Sequence, residues 1–336
     1  MRRWFTLAAG TGLLLAGCTD SRGPTQPAVR TPSFLDVMPE HGQGPRTHIM
    51  MPRGQANPHK GGGNTGINYH GGPILYTTNV VAIYWSASPL YTGGPDPATT
   101  PTGSGASDGS LVGYFLSNLG GSPYFNINTT YFDGAGTHIQ NVVNYTQFWA
   151  SNTNLPPTDM SPVGDDAIQA QIEAGFADGS LTYDPSTLYA VFTGSGVNLG
   201  GGFGSQYCAY HGYFVDAQLR NVKYAAMPYA YQFPNGCSAL SGSPNNDFAA
   251  DAEVNVLAHE TEETTTDENL NAWYDFIGNE NADKCAWNFG ATHLTSNGST
   301  ANVTIGGKDF LIQMNWVNAS TGNGRHTQPV GCKQSW

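Results

Sequence analysis

A histidine and two glutamates lie in the pattern His-Glu-x-x-Glu at His259, Glu260 and Glu263. Apolar residues recur at helical spacing just before this motif, so we expect a helix that places His259 and Glu263 one turn apart on one face. Zinc hydrolases hold their metal with two side chains one helical turn apart, and the intervening Glu reaches the metal-bound water. The motif therefore predicts His259 and Glu263 as metal ligands and Glu260 as the general base.

A third ligand is expected from downstream of this helix. Glu280 and Asp283 are spaced by one helical turn. The arrangement is similar to the second helix of gluzincin peptidases, so Glu280 is predicted as the third ligand and Asp283 as an outer partner that orients His259. Asp267 is the rival third ligand if the first helix continues, although the β-branched run Thr264–Thr266 disfavours continuation.

The charge around the motif supports a cation. The stretch from Glu260 to Glu268 carries five carboxylates, and no Lys or Arg lies between Lys223 and Lys284. Such a run can be a solvated acidic face, but a helix so charged is costly unless a cation sits on it. His259 favours Zn²⁺, whereas the oxygen-rich ligand set leaves Ca²⁺ as the alternative.

Two further features could take part in chemistry. His211 could stabilise an oxyanion, or it could be a structural hydrogen-bonding residue. The segment 105–109 matches Gly-x-Ser-x-Gly, but no apolar strand precedes it, so we interpret it as the start of a helix rather than as a nucleophile elbow.

The N-terminus predicts export. Residues 1–17 have the basic start, the short apolar run and the small-residue end of a bacterial lipoprotein signal, with Cys18 as the lipidated residue. Residues 18–66 are rich in Pro, Gly and Thr and are predicted to be a flexible, disordered tether. We expect a cell-envelope lipoprotein or a secreted protein, attached to the membrane only through the lipid.

The remaining cysteines predict two disulfides. Cys208, Cys237, Cys285 and Cys332 are an even number in an oxidising compartment. Three connectivities are possible, and we favour Cys208–Cys237 and Cys285–Cys332 because each bridge closes a loop within one contiguous segment.

The body of the chain is acidic and of mixed secondary structure. The chain has 336 residues and a net charge of −12, and residues 67–336 hold 6 basic and 22 acidic residues, a net of −16. A surface of this sign repels phosphate backbones, which excludes nucleic acid as a partner. Alternating strand and helix patterns across 67–336 predict one α+β domain, expected to be zincin-like and monomeric, with the motif helix as its metal-site helix.

Several blocks of the chain, in order, resemble one known family. They are Tyr69-His70-Gly71-Gly72-Pro73-Ile74-Leu75, Ile83-Tyr84-Trp85, Cys208-Ala209-Tyr210-His211-Gly212, Ala258-His259-Glu260-Thr261-Glu262-Glu263, Thr266-Asp267, Asn271-Ala272-Trp273-Tyr274, Glu280-Asn281-Ala282-Asp283-Lys284-Cys285, Gly307-Lys308-Asp309-Phe310-Leu311-Ile312-Gln313 and the final Cys332. Residues 67–336 thus resemble a bacterial member of the phosphate-induced protein 1, or EXORDIUM-like, family. The resemblance implies an extracellular protein whose plant relatives have no firmly established enzymatic activity.

Two functions follow as expectations. The first is an exported zinc-dependent hydrolase, in particular a metallopeptidase, acting on a peptide or a cell-wall polymer. The alternative is a non-catalytic extracellular protein that binds wall polymer or a partner and carries a structural cation or no metal. A catalytic site needs an open metal position in a cleft, whereas a structural site is closed.

Overall fold

The structure, a computed structural model, describes residues 47–55, 66–321 and 328–336. The strands are β1 (Thr47–Met50), β2 (Asn68–Tyr69), β3 (Thr78–Trp85), β4 (Thr102–Ser104), β5 (Val143–Ser151), β6 (Thr187–Thr193), β7 (Ala209–Val215), β8 (Asn221–Met227), β9 (Trp273–Tyr274), β10 (His293–Leu294), β11 (Thr300–Ala301), β12 (Val303–Ile305), β13 (Lys308–Phe310), β14 (Asn315–Thr321) and β15 (Gln328–Lys333). The α-helices are α1 (Leu111–Leu119), α2 (Asp165–Asp178) and α3 (Phe248–Thr266). Short 3₁₀ helices occupy Gly105–Ser107, Phe125–Thr130, Ala230–Gln232 and Asp283–Cys285.

A seven-stranded sheet in the order β1-β7-β8-β6-β3-β5-β4 organises the chain. Its four inner strands β8, β6, β3 and β5 run parallel, and β7, β1 and β4 are antiparallel to their neighbours at the two edges. Every residue of β6 is buried, which is the burial expected of an inner strand covered on both faces.

Helices cover both faces of this sheet. Alternate residues of β3 point to opposite sides: Val80, Ala82 and Tyr84 pack with α1 and α3, whereas Val81, Ile83 and Trp85 pack with α2. The predicted α+β class with two disulfides is therefore confirmed. None of the described helices is long and apolar enough to cross a membrane.

Helix α1 begins at Leu111, two residues after the end of the Gly-x-Ser-x-Gly segment. Ser110 is its N-cap and accepts a hydrogen bond from the backbone N–H of Gly113 at 2.9 Å. Ser107 donates to the backbone oxygen of Ser104, so this serine has a turn-forming role. The predicted cap within 105–109 is therefore wrong, because Gly105–Ser107 form a separate 3₁₀ helix and the cap of α1 is Ser110.

The first described strand corrects the predicted boundary of the tether. Residues 47–50 form β1 and pair with β7 over four residues, so the assignment of 18–66 to a flexible tether is wrong for this stretch. A four-residue edge strand among Gly and Pro residues is too short to give a periodic signal. The predicted signal peptide 1–17, Cys18 and most of the tether lie outside the described residues.

Both disulfides are attached to the segments that carry the predicted site. Cys208 and Cys237, with Cα atoms 5.3 Å apart, join the residue before β7 to a loop that follows β8. Cys285 and Cys332, with Cα atoms 5.6 Å apart, join the end of the Asp283–Cys285 helix to β15. These are the two pairings that we favoured from the sequence, because each bridge closes a loop within one contiguous segment.

Candidate metal centre

Helix α3 carries the His-Glu-x-x-Glu motif in an unusual setting. Asp247 caps it by accepting from the N–H of Ala250 at 3.1 Å, and all its residues from Ala250 to Thr266 are buried. His259, Glu260 and Glu263 are fully buried. Carboxylates are almost never buried in this way unless they are paired.

The helix continues past the motif, and the threonine hydroxyls are satisfied within it. The hydroxyls of Thr264 and Thr265 donate to the backbone oxygens four residues earlier, each at 2.7 Å. The expectation that this β-branched run ends the helix is wrong, since α3 extends through Thr266. Asp267 then caps the C-terminal end.

Three histidines and three carboxylates form a closed ring at the C-terminal half of α3. We call this group the acid–imidazole ring; its members are His48, His211, His259, Glu263, Glu280 and Asp283. Imidazoles and carboxylates alternate around it, and they come from β1, β7, α3, the loop after β9 and the 3₁₀ helix Asp283–Cys285 that follows this loop.

On the α3 side, the imidazole nitrogen Nε2 of His259 lies between two carboxylates. It is 3.1 Å from Oε1 of Glu263 and 3.6 Å from Oδ1 of Asp283. The same Glu263 oxygen accepts a hydrogen bond of 3.0 Å from the backbone N–H of Asp283, which ties the two segments together.

On the sheet side, Nε2 of His211 lies between one oxygen of Glu263 and one oxygen of Glu280. It is 3.5 Å from Oε2 of Glu263 and 3.5 Å from Oε2 of Glu280. The two oxygens of Glu263 therefore face different histidines.

His48 closes the ring. Its Nε2 lies 2.6 Å from Oδ2 of Asp283 and its Nδ1 lies 3.6 Å from Oε1 of Glu280. Burial lowers the pKa of His48, but the charges of Glu280 and Asp283 outweigh it and raise the pKa well above its usual value. His48 and His211 are directly opposite in the β1–β7 register, with ring centroids 5.7 Å apart.

These spacings fit a metal ion. Ligands at about 2.1 Å around a tetrahedral zinc lie about 3.4 Å from one another. The ring distances of 3.1, 3.5 and 3.6 Å lie around that value. The distances of 3.5 and 3.6 Å are longer than good hydrogen bonds, whose donor and acceptor atoms lie within 3.2 Å of each other in most cases. The His259–Glu263 contact of 3.1 Å and the His48–Asp283 contact of 2.6 Å fall within that limit.

Many polar atoms here have no hydrogen-bond partner. Among the described residues, the buried atoms without one include both ring nitrogens of His211, both carboxylate oxygens of Glu260, Nε2 of His259, Oε2 of Glu263 and Oε2 of Glu280. Buried polar groups are normally satisfied, because an unpaired one costs about 1–3 kcal/mol. A bound cation would give a partner to the atoms that face it, which cannot include both nitrogens of His211 because they lie on opposite edges of the imidazole.

Burial and the neighbouring histidines shift the pKa values of these carboxylates in different directions. Burial raises the pKa of Glu260 and of Glu280 well above the usual value. Burial also acts to raise the pKa of Glu263, but the neighbouring His259 and His211 outweigh it and hold that pKa below its usual range. Within the described part of the chain, no Lys or Arg forms an ion pair with the ring.

Gln313 supports the ring from behind. The amide nitrogen of Gln313 lies 2.5 Å from Nδ1 of His259, and its Oε1 accepts the backbone N–H of Trp287 at 3.3 Å. The backbone N–H of Gln313 donates to Oδ1 of Asn255 at 2.8 Å, which fixes the segment against α3. A histidine that binds metal through Nε2 donates its Nδ1–H to an acceptor, so metal binding by His259 requires the amide oxygen of Gln313, not its nitrogen, to face Nδ1.

The structure brings the predicted residues together with changed roles. His259, Glu263 and Glu280 lie in the ring, and Glu260 lies with His211 and Glu263 in a group whose donor atoms are within 4.8 Å of one another. Sequence analysis gave His211 an oxyanion or structural role, whereas the structure places its unpartnered Nε2 between carboxylate oxygens of Glu263 and Glu280.

Asp283 and Asp267 also differ from expectation. Asp283, expected only as an outer partner of His259, is itself a ring member. Oδ1 of Asp267 accepts from the backbone N–H groups of Asn271 and Ala272, at 2.5 and 2.6 Å, so this oxygen holds the loop that follows α3. Asp267 belongs to neither group of closely spaced donors in the described residues.

Glu280 does not lie on a second α-helix. It lies in a loop, and only the 3₁₀ helix Asp283–Cys285 follows it. The Glu-x-x-Asp spacing still matters, because Oδ2 of Asp283 accepts from the backbone N–H of Glu280 at 3.3 Å.

The sequence analysis did not identify two residues of the site, His48 and Gln313. His48 lies in the Gly- and Pro-rich stretch taken as tether, where a lone histidine gives no signal. Gln313 ends the block 307–313 that was noted only as a family marker, and its contact with His259 depends on the tertiary fold.

Comparisons with known proteins add no identity to this geometry. No protein-family model matches the chain, and neither the curated proteins nor the solved structures contain a significant match.

Proposed function

We propose that this protein is an exported zinc-dependent hydrolase that cleaves peptides at the acid–imidazole ring. The observation that carries the proposal is the set of buried, unpartnered histidine and carboxylate atoms at ligand-to-ligand distances. His259, Glu263 and Glu280 would hold the ion, and the histidines of the ring favour Zn²⁺ over the alternative, Ca²⁺.

The chain's own residues supply the remaining functions. When bound, zinc polarises a carbonyl and makes a water molecule more acidic. Glu260 has two unpartnered oxygens beside the ring and takes up the proton of the attacking water. Gln313 holds the His259 ring in place through Nδ1.

The exposure of the ring supports a catalytic site. The side chains of His48 and Asp283 are 23% and 12% exposed, whereas the other four are at most 2% exposed. The ring therefore opens to solvent beside the edge strand β1. An extended peptide can add to a sheet edge by main-chain hydrogen bonds, which would place its carbonyls near this opening.

The same burial favours one alternative. Four nearly inaccessible side chains also suit a closed structural cation in a non-catalytic extracellular protein that binds wall polymer or a partner. The two functions differ in whether a metal-dependent activity accompanies the metal.

The finer assignments are part of this proposal. We propose a gluzincin-like division of roles, membership of the EXORDIUM-like family, and a lipid-anchored or secreted location. The two disulfides support an exported protein, because disulfides persist in oxidising compartments.

The test starts with metal content. The exported chain, purified from unsupplemented medium, should carry zinc by elemental mass spectrometry, and a His259→Ala, Glu263→Ala variant should lose it. A peptide-library digest should then show cleavage by the wild type and none by Glu260→Gln, which keeps the size of the side chain. Metal without any cleavage would favour the structural cation, and no metal in a folded wild-type protein would overturn the proposal.

A further inference from the structure

We infer that the acid–imidazole ring holds two divalent metal ions bridged by the carboxylate of Glu263. This inference rests on the proposed metal site and goes beyond it in the number of ions and in the division of ligands. The contacts, the number of donors and the charge each support it.

The geometry of Glu263 is that of a bridging ligand. Its Oε1 lies 3.1 Å from Nε2 of His259, and its Oε2 lies 3.5 Å from Nε2 of His211. Two separate groups of closely spaced donors share this residue: His48, Glu263 and Asp283 in one, and His211, Glu260 and Glu263 in the other. In two-metal hydrolases the ions lie about 3.5–4 Å apart, a separation that one carboxylate can span.

The number of donors exceeds what one ion binds. A catalytic zinc takes three protein ligands and keeps one position open. Three histidines and four carboxylates converge here: His48, His211, His259, Glu260, Glu263, Glu280 and Asp283. One ion would leave several of these buried donors without a partner.

The donors divide evenly between the two oxygens of Glu263. Nε2 of His259 contacts Oε1 of Glu263 and Oδ1 of Asp283, which gives the first site, and Nε2 of His211 contacts Oε2 of Glu263 and Oε2 of Glu280, which gives the second. Each site then has three protein ligands, as an open catalytic site requires. His48 contacts the carboxylates of both sites from the exposed side.

The charge also favours two ions. Glu260, Glu263, Glu280 and Asp283 carry four negative charges when ionised, and no Lys or Arg of the described residues pairs with them. One divalent ion offsets two of these four charges, whereas two ions offset all four. An uncompensated buried charge is strongly destabilising, so the second ion has a physical reason to bind.

The experiment is a metal count with single-site variants. The full exported chain, stripped with chelator and dialysed against Zn²⁺, should bind two zinc ions per chain by elemental mass spectrometry. His259→Ala and His211→Ala should each keep one ion, and Glu263→Ala should keep fewer than one. His293→Ala, which removes a 47% exposed histidine outside the ring, is the matched control and should keep two.

A second measurement needs no variant. X-ray absorption at the zinc edge of the wild-type protein should show a zinc–zinc distance of about 3.5–4 Å. One ion per chain in the wild type, lost in both histidine variants, would overturn the two-ion inference and leave the proposed function standing. No ion in the folded wild-type protein would overturn both.

Discussion

Glu253 offers a sharp test of how burial acts on α3 away from the ring. It is fully buried, its Oε2 accepts the N–H of Ala230 at 3.1 Å, and its Oε1 has no partner. Burial raises its pKa to about 8. We expect Glu253→Gln to stabilise the protein at neutral and alkaline pH, because glutamine keeps an oxygen for Ala230 and has no charge to bury.

The magnitude follows from the two pKa values of Glu253. The folded value of about 8 lies above the reference value of 4.5. Between these values the unfolded chain binds fewer protons than the folded one, so the free energy of unfolding falls as the pH rises. The pKa difference corresponds to a loss of roughly 3 kcal/mol between pH 5 and pH 8, and the variant avoids it.

The assay is urea unfolding of both proteins at several values from pH 5 to pH 8, with chelator present so that bound metal adds nothing. The stability difference, Glu253→Gln minus wild type, should grow by roughly 3 kcal/mol across this range. Glu173→Gln, an exposed glutamate on α2, is the control and should show no such growth. A difference that stays constant with pH, or a variant that is less stable at pH 8, would refute the reasoning.

Three further predictions concern the site and its supports. His48→Ala should weaken zinc binding about 10–100-fold in a chelator competition assay, because His48 contacts two ring carboxylates; unchanged affinity would place it outside the site. Lys223→Met should lower the free energy of unfolding, measured in urea, by about 3–5 kcal/mol. The Lys223 nitrogen lies 2.8 Å from the buried carboxylate of Glu268, and the substitution leaves that carboxylate unpaired. A loss below about 1 kcal/mol would contradict this. Replacing both Cys285 and Cys332 by Ser should cost about 4 kcal/mol, from the 47-residue separation that the bridge closes, and an unchanged urea midpoint would contradict it.

Local sequence patterns predicted the α3 half of the site because helix geometry is local. Residues four apart on a helix share a face whatever the rest of the chain does, so His259 and Glu263 could be paired from spacing alone. The buried strand β6 could also be predicted, because its sequence is an uninterrupted run of β-branched and aromatic residues. Glu280 was found through its spacing to Asp283, although the loop they occupy was expected to be helical.

The sheet half of the site could not be predicted in the same way. His48 and His211 are neighbours because β1 pairs with β7 in a register that sets them opposite each other. That register is a tertiary property, since the two residues are far apart in sequence and each strand can slide by one residue without changing its composition. Gln313 reaches His259 for a similar reason, through a segment packed against α3.

The contribution of β1 changes where the functional domain begins. Met50 is fully buried, and its backbone oxygen accepts the N–H of Cys208 at 2.8 Å. The backbone N–H of Arg53 donates to Gly236 at 2.7 Å, so this segment is held on both sides of the Cys208–Cys237 bridge. A domain that started at residue 67 would lack His48 and would leave the edge of β7 unpaired. The candidate centre therefore depends on the segment from Thr47 onward, which joins the predicted tether directly to the open side of the ring.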